Sequence, residues 1–151
     1  MGETMPVALL DVNLLLALAW PNHVHHEAAH EWFARQRPNG WATGPATQTG
    51  FVRLSAHPAV VKTAVTVGDA LRVLEGSTAV PEHVFWGQDR PLWQLPPEIR
   101  SRLIGHQQVA DAVLLDLAIR NGGRLATADR GTVSLVPPES DYRSALEIVP
   151  V

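Results

Sequence analysis

A short apolar run that stops at one acidic residue constrains the fold of this chain most strongly. Residues 7–10 are Val-Ala-Leu-Leu, without polar alternation, and Asp11 follows them directly. Such a run is typical of a strand that is covered on both faces of a parallel sheet. A carboxylate there is costly to desolvate, and ligands bind at the carboxyl ends of strands in open α/β sheets. Asp11 is therefore a candidate functional residue, or else only the N-cap of a helix that begins at Asn13 or Leu14.

Length and composition predict one globular domain. The 151 residues are 46% hydrophobic and 18% charged, which suits a single buried core and argues against long disorder. Residues 1–5 are interpreted as disordered or derived from a tag. Without cysteine, disulfides and thiolate zinc sites are excluded, and the cytoplasm is the expected compartment. No signal peptide or membrane span is expected, and the net charge of −3 excludes binding to nucleic acid by overall charge alone.

Hydrophobic periodicity predicts helices and strands that largely alternate. Asn22 is expected to cap the second helix, Thr66 and Asp69 have capping-box spacing, Gly76 supplies a stop, and Asp89 is interpreted as a turn residue. The predicted strands are 7–10, 41–43, 84–86, 124–127 and 146–149, and the predicted helices are 13–19, 22–37, 45–56, 66–74, 97–103 and 109–120.

A second strand also delivers an acid at its carboxyl end. A helix over residues 109–120 and a tight turn lead into an apolar strand that ends just before Asp129. Asp111 lies in the first turn of that helix, where the helix dipole favours an anion. Asp116 comes five residues later, about 500° around the helix. It points away from Asp111 and is expected to be exposed or salt-bridged.

The second predicted helix contains the H-E-x-x-H string of zinc peptidases. The string is His26-Glu27-Ala28-Ala29-His30, with both histidines on one helix face. No third ligand or substrate-binding edge strand accompanies it, and His23 and His25 make the region generally rich in histidine. We therefore expect His26 and His30 to lie on the outside of the helix without a shared metal.

Three acidic segments resemble the signature of PIN-domain ribonucleases, and most closely that of VapC toxins from bacterial toxin-antitoxin pairs. They are Leu-Leu-Asp-Val-Asn at Asp11, His-Gln-Gln-Val-Ala-Asp-Ala at Asp111 and Leu-Ala-Thr-Ala-Asp-Arg-Gly at Asp129. The resemblance covers nearly the whole chain and implies one PIN-like domain over residues 1–151, an α/β/α sandwich on a central parallel sheet. It further implies that the three acids bind Mg²⁺ or Mn²⁺, with RNA as substrate, a cognate VapB-type antitoxin as partner, a homodimer and no membrane.

The resemblance also assigns neighbouring polar residues. Asn13 and Thr127 match the family pattern as polar residues near the site. Where that family usually carries Glu in the segment 41–53, this chain has Gln48. We retain Gln48 as a catalytic candidate, because its oxygen can coordinate a metal or a metal-bound water. It brings no negative charge, so the site is expected to bind metal more weakly, to hold one ion or to be less active.

The residue types themselves support metal-assisted hydrolysis. Mg²⁺ takes oxygen ligands and accepts phosphate oxygens, and it activates water while offsetting charge on the attacked phosphate. Two carboxylates about 5 Å apart repel by roughly 3 kcal/mol at an effective dielectric constant near 20, so one tends to protonate without a cation. No cysteine is present, and neither Ser55 nor Ser101 lies in a nucleophile-elbow context, so no catalytic triad is predicted.

Basic residues near the acidic segments are candidates for substrate binding. Arg53, Arg124 and Arg130 could hold phosphates by bidentate contacts, or else serve as ordinary surface charges. His106 is a candidate for proton transfer, with a structural role as the alternative.

Two other functions remain open. A phosphatase of the haloacid-dehalogenase kind also uses an aspartate at a strand end, but it normally needs an acid two residues later, where this chain has Asn13. A PIN-like module that binds RNA or a partner without cleavage is reasonable because of Gln48. A phosphatase would cleave small phosphoesters, whereas a binding module would cleave nothing.

Overall fold

The computed structural model describes residues 5–61, 63–88 and 90–151. Of residues 1–5, interpreted as disordered or tag-derived, residues 1–4 lie outside the described residues, and so does Asp89, interpreted as a turn residue. Within the described ranges, no helix has the length and apolar character needed to span a membrane.

A five-stranded parallel sheet organises the chain. Its strands are β1 (Ala8–Leu10), β2 (Trp41–Thr43), β3 (His83–Phe85), β4 (Arg124–Thr127) and β5 (Leu146–Ile148). Their order is β3-β2-β1-β4-β5, with each neighbouring pair parallel. All three residues of β1 are fully buried, as expected for a central strand covered on both faces. The carboxyl ends of β1 and β4 consequently lie side by side.

Helices cover both faces of this sheet. They are α1 (Val12–Ala19), α2 (His26–Gln36), α3 (Pro45–Ser55), α4 (Val67–Thr78), α5 (Pro97–Arg100) and α6 (Val109–Arg120). Successive residues of a strand point to opposite faces. Accordingly, Leu9 packs in one core cluster with α5 and α6, whereas Ala8 and Leu10 pack in the other with α1 to α4. This three-layer α/β/α sandwich confirms the predicted fold class.

Local capping signals in the sequence explain where two of the helices begin. Asp11 caps α1 by accepting a hydrogen bond from the Leu14 amide. Thr66 and Asp69 form the predicted capping box at α4, with reciprocal side-chain to backbone bonds of 3.0 Å. Both helices therefore start within one residue of their predicted positions.

Three predicted helix boundaries are wrong. The helix α5 ends at Arg100 rather than near Leu103, because residues 101–102 form a turn in which the Arg102 amide donates to the Ile99 carbonyl. The helix α2 begins at His26 rather than just after Asn22, because residues 21–25 form successive turns instead of a helical repeat. The helix α4 continues through Gly76 to Thr78. A glycine costs a helix only about 1 kcal/mol relative to alanine, and here the Thr78 hydroxyl donates to the Leu74 carbonyl over 2.8 Å, which supports the last turn.

Candidate active site

Asp11 lies at the junction of β1, α1 and β4. Its Oδ1 accepts from the Leu14 amide at 2.9 Å, and its Oδ2 accepts from the Thr127 hydroxyl at 2.5 Å. The residue is only 6% exposed. Asp11 is thus an N-cap, as one interpretation predicted. Each carboxylate oxygen has one identified donor, which leaves lone pairs for a further contact.

Thr127 connects the two strand-end acids. It is fully buried at the end of β4, and its Oγ1 donates to Asp11 while accepting from the Asp129 amide at 3.0 Å. The Asp129 carboxylate is oriented by the Gly131 amide, which donates to Oδ1 over 2.8 Å. One threonine hydroxyl therefore fixes both Asp11 and the backbone of Asp129.

Asp111 approaches the same region from the first turn of α6. It is half-buried, and the hydroxyl of buried Thr132 lies 3.5 Å from its Oδ2, at the outer limit of a hydrogen bond. Asp111 and Asp129 line one open pocket of about 610 Å³. Its other lining residues are Ile104, Gly105, His106, Gln107, Gln108, Gly131, Thr132, Ser134 and Leu135.

The three acids influence one another electrostatically. Burial raises the pKa of Asp11 from 3.8 to about 6; hydrogen bonds from Thr127 and the Leu14 amide oppose this, and the charges of Asp111 and Asp129 add to it. Burial likewise raises the pKa of Asp111, and the Asp129 carboxylate raises it further. The charges of neighbouring carboxylates therefore raise the pKa of Asp11 and of Asp111, and a nearby cation would relieve the repulsion.

The donor set suits a hard divalent cation. All three acids offer oxygen, and Mg²⁺ commonly uses one or two carboxylates together with waters and substrate phosphates. Asp111 and Asp129 on the pocket wall supply such a pair, and buried Asp11, outside the lining of this pocket, is close enough for their charges to raise its pKa. Among the described residues, no three His, Cys, Asp or Glu side chains lie in positions to coordinate one metal ion together. The arrangement thus fits an ion that keeps much of its hydration.

Protein stability should change with pH because of Asp11. Since its pKa is raised on folding, its contribution is greatest below pH 3.8 and is lost as pH rises to about 6. The full change is about 3 kcal/mol, and roughly half of it should be recovered at pH 5. Urea unfolding in EDTA at pH 5 and 7.5 should show this as a difference between the wild type and Asp11→Asn. Equal pH dependence in the two proteins would contradict it.

The wild type must be compared with Asp11→Asn, because two histidines change the stability with pH in the opposite direction to Asp11. Burial lowers the pKa of His23 and of His83, so their contributions weaken as pH falls through 6.5. Both histidines are unchanged in the variant, and their contributions cancel in the difference.

The structure places the remaining predicted site residues less closely together. Asn13 is exposed in the first turn of α1, and Arg130 is exposed directly after Asp129. Arg53 is exposed in the last turn of α3. Within the described residues, no contact joins Arg53 to the three acids.

Gln48 lies near the same end of the sheet but faces α4. Its Nε2 donates to the Thr43 hydroxyl at the end of β2, over 3.0 Å. It also lines a groove with Leu71 and Glu75 of α4, and it is not among the residues that line the pocket of Asp111. Its proposed part in metal binding stays a prediction.

The surroundings of Arg124 and His106 indicate different roles for these two candidates. Arg124 is only 16% exposed and pairs with Glu147 at 3.0 Å, while also donating to the Gln36 side chain at 3.2 Å. These contacts tie β4 to β5 and α2, so its role is structural. His106 is exposed on the wall of the acidic pocket, which keeps it available to a substrate.

The sequence analysis missed Thr132 and Gln108. Thr132 is 1% exposed and orients Asp111, while Gln108 bridges two loops of the pocket. For Thr132, its position three residues after Asp129 was a weak signal in the sequence. For Gln108, no local sequence pattern indicated a role.

The two histidines of the H-E-x-x-H string bind the end of α1. His26 Nδ1 donates to the Ala17 carbonyl at 2.7 Å, and His30 Nε2 donates to the Leu18 carbonyl at 2.8 Å. Carbonyls in the last turn of a helix lack intrahelical partners, so these bonds satisfy them. The spacing of the string is therefore explained by helix packing.

Replacing either histidine should weaken the fold and spare the pocket chemistry. His26→Ala and His30→Ala should each lower the free energy of unfolding by about 1 kcal/mol, the usual net value of one hydrogen bond. Urea unfolding measures this, and His25→Ala, on an exposed neighbour, is the control. A protease activity that needs both histidines and added Zn²⁺ would contradict the structural role.

Solved structures with this architecture define the class of fold. The crystal structure of Mycobacterium tuberculosis VapC20, described as a sarcin-ricin loop cleaving toxin, matches with a TM-score of 0.57 and 12% identity, over 78% of this chain and 85% of that one. The FitAcB structure from Neisseria gonorrhoeae matches with a TM-score of 0.56 and 18% identity, over 93% and 96%. The fold is thus the predicted PIN-like α/β sandwich.

Sequence relatives then identify the family. Ribonuclease VapC39 of Mycobacterium tuberculosis is 46% identical over 122 residues, or 81% of this chain and 88% of that protein. VapC38 is 46% identical over 129 residues (85% and 89%), and VapC44 is 39% identical over 131 residues (87% and 92%). No protein-family model matches the chain. On these identities and coverages, the chain belongs to the VapC ribonuclease family.

Proposed function

We propose that this chain is a Mg²⁺- or Mn²⁺-dependent endoribonuclease, the toxin of a type II toxin-antitoxin pair. The observation that carries the proposal is that Asp111 and Asp129 line one open pocket, while Thr127 at the end of β4 holds both Asp11 and the backbone of Asp129. A group of neighbouring carboxylates is suited to a cation, and the family relatives are named as ribonucleases. RNA brings the phosphate oxygens that complete such a site.

The chain's own residues would act mainly by orientation. Asp111 and Asp129 would hold the ion from the pocket wall, and Asp11 would add negative charge nearby. Thr127 holds Asp11, and Thr132 stands beside Asp111. When bound, the ion would activate water and offset charge on the attacked phosphodiester.

A cleavage assay with purified protein tests the proposal. Single-stranded RNA should be cut internally with Mg²⁺ or Mn²⁺, and cutting should stop in EDTA and resume when the ion is restored. Asp129→Asn should be inactive, while the exposed, distant Glu31→Gln should be active. RNA binding without cleavage at any metal concentration would favour the binding module. Cleavage of small phosphoesters instead of RNA would favour the phosphatase, against which Asn13 and the relatives' names already weigh.

The proposed cellular setting is a cytoplasmic homodimer that pairs with an antitoxin. We propose that a basic antitoxin side chain enters the acidic pocket and takes the place of the cation, because the same carboxylates attract either charge. Mass measurement of the purified chain tests the dimer. A titration in which Mn²⁺ and the antitoxin compete for the protein tests whether both bind in the acidic pocket.

Gln48→Glu should strengthen metal binding if position 48 faces the site. A fourth carboxylate would attract a divalent ion by several kcal/mol at an effective dielectric constant of about 20, before desolvation is subtracted. We expect tighter Mn²⁺ binding by isothermal titration and higher activity at low metal. Glu75→Gln, on the far side of the same groove, is a charge control. Equal Mn²⁺ affinities of Gln48→Glu and the wild type would show that Gln48 stays with Thr43 and α4.

A further inference from the structure

Arginine side chains surround the segment that forms one wall of the acidic pocket. That segment is the 3₁₀ stretch Arg130–Leu135. Arg102 Nη1 donates to the Ser134 carbonyl at 3.3 Å, and Arg143 Nη1 donates to the Val133 carbonyl at 3.4 Å. The guanidinium groups of Arg102 and Arg143 therefore contact the backbone of the wall segment, and Arg130 begins it, but the three side chains lie outside the lining of the pocket itself.

These arginines keep their positive charge available. Their identified partners are neutral backbone carbonyls, and none of the three forms an ion pair with another described residue. The neighbouring acid Glu98 is engaged by the Ser140 hydroxyl at 2.7 Å, while Asp141 is exposed. In a chain with a net charge of −3, this is a local concentration of unpaired positive charge.

An apolar side chain projects from the same rim. Ile104 lines the pocket and is 92% exposed. Its backbone is fixed, because Gln108 Oε1 accepts from the Ile104 and Gly105 amides at 2.8 and 3.2 Å. Gln108 Nε2 also donates to the Ser134 hydroxyl at 3.3 Å, which joins this loop to the arginine-lined wall. A rigid loop thus presents an aliphatic surface next to the guanidinium groups.

We propose that Arg102, Ile104 and Arg143 form a binding rim for single-stranded RNA. The arginines contact phosphates that flank the cleaved bond, and Ile104 packs against an unpaired base. This inference rests on the proposed ribonuclease function and names how the substrate is held. Arginines bind phosphate oxygens bidentately, and recognition of single-stranded RNA combines phosphate contacts with apolar contacts to unstacked bases.

Charge explains why RNA fits this rim better than a protein partner does. The carboxylates of Asp111 and Asp129 repel a phosphodiester that approaches the pocket. Positive side chains on the adjacent wall offset that repulsion and favour a polyanion that continues beyond the cleaved bond. An extended basic protein surface would be repelled by the rim, whereas the single basic side chain proposed for the antitoxin needs only the acids of the pocket.

Charge removal on the rim should weaken RNA binding and reduce its dependence on salt. The probe is a fluorescein-labelled single-stranded RNA of mixed sequence, titrated in EDTA at several salt concentrations. For single strands, one lost phosphate contact lowers the salt slope by about 0.7, which corresponds to about fivefold weaker binding at 0.1 M salt. We expect this for Arg102→Gln and Arg143→Gln, with recovery in Arg102→Lys and Arg143→Lys.

The matched control is Arg35→Gln. Arg35 is exposed on α2, which covers the opposite face of the sheet from α6, and the substitution changes net charge equally. Binding and salt slopes of the two rim variants that equal those of Arg35→Gln would overturn the proposal. Absence of RNA binding by the wild type at every salt concentration would overturn it as well.

Ile104→Ala should change where RNA is cut, with little change in the salt slope. A mixed-sequence RNA cleaved with Mn²⁺ should show redistributed cut positions and a higher KM. Val24→Ala is the control, because Val24 is 86% exposed on the turn before α2 and lies outside the acidic pocket. Cut positions and KM identical to those of Val24→Ala would overturn the role of Ile104.

The outcomes separate this inference from the proposed function. If the wild type cleaves no RNA with any metal, the proposed function fails. If it cleaves normally and the rim variants match their controls, only the binding rim fails. A shift in oligomeric mass caused by Ile104→Ala would identify a contact between protein chains and overturn its assignment to RNA.

Discussion

Asp11→Asn is expected to reduce RNA cleavage by about a thousandfold, equivalent to about 4 kcal/mol of transition-state stabilisation. The substitution removes a negative charge close to the pocket acids and leaves the side-chain volume almost unchanged. Asparagine is also as good an N-cap as aspartate, so α1 should keep its start. Single-turnover cleavage of a labelled RNA at saturating Mn²⁺ measures the effect.

Stability separates a catalytic loss from a folding defect. Without metal, Asp11→Asn should be as stable as the wild type or more stable at pH 7.5, because a buried charge with a raised pKa is removed. Glu31→Gln, which removes an exposed charge on α2, should keep full activity. A clear loss of thermal stability of Asp11→Asn in EDTA would show that Asp11 is mainly structural, and undiminished cleavage would place the active site elsewhere.

The strand-end acids could be predicted because a local pattern encodes them. Asp11 and Asp129 each follow a short apolar run, and parallel pairing of β1 with β4 brings the two runs to the same edge. Asp111 was assigned to the site by the resemblance to PIN-domain ribonucleases, and its place in the first turn of a helix only indicated a favourable position for an anion. The three-dimensional structure adds the hydroxyl of Thr127 between the two strand ends, a contact that links residues 116 positions apart.

Contacts distant in sequence could not be predicted in the same way. His26 and His30 have metal-ligand spacing, yet their partners are carbonyls 9 and 12 residues earlier, at the end of α1. Gln108 joins two loops 26 residues apart through Ser134. In each case the donor pattern is visible in the sequence, but the acceptor is set by how helices and loops pack.

For Asp116, the sequence predicted the ion pairing but not the burial. It was expected to be exposed or salt-bridged, and it is salt-bridged but only 2% exposed. Its Oδ1 accepts from Arg90 Nη1 at 3.1 Å, and its Oδ2 accepts from Arg120 Nε at 3.2 Å. Arg90 also donates to the Gln94 carbonyl at 3.0 Å. The network therefore holds the segment after β3 against α6, the helix that carries Asp111.

Asp116→Ala should lower the free energy of unfolding by about 3 kcal/mol. Removing one partner of a buried ion pair leaves poorly compensated charge, and the lower end of the usual range applies because the Arg90 side chain is 30% exposed. Urea unfolding measures the change. Arg72→Ala, which breaks a pair whose side chains are 74% and 43% exposed, should have little effect.

Since Asp116 does not line the pocket, the folded variant should still cleave RNA at low temperature. A stability equal to that of Arg72→Ala would mean that apolar packing of α6, rather than this network, holds the segment.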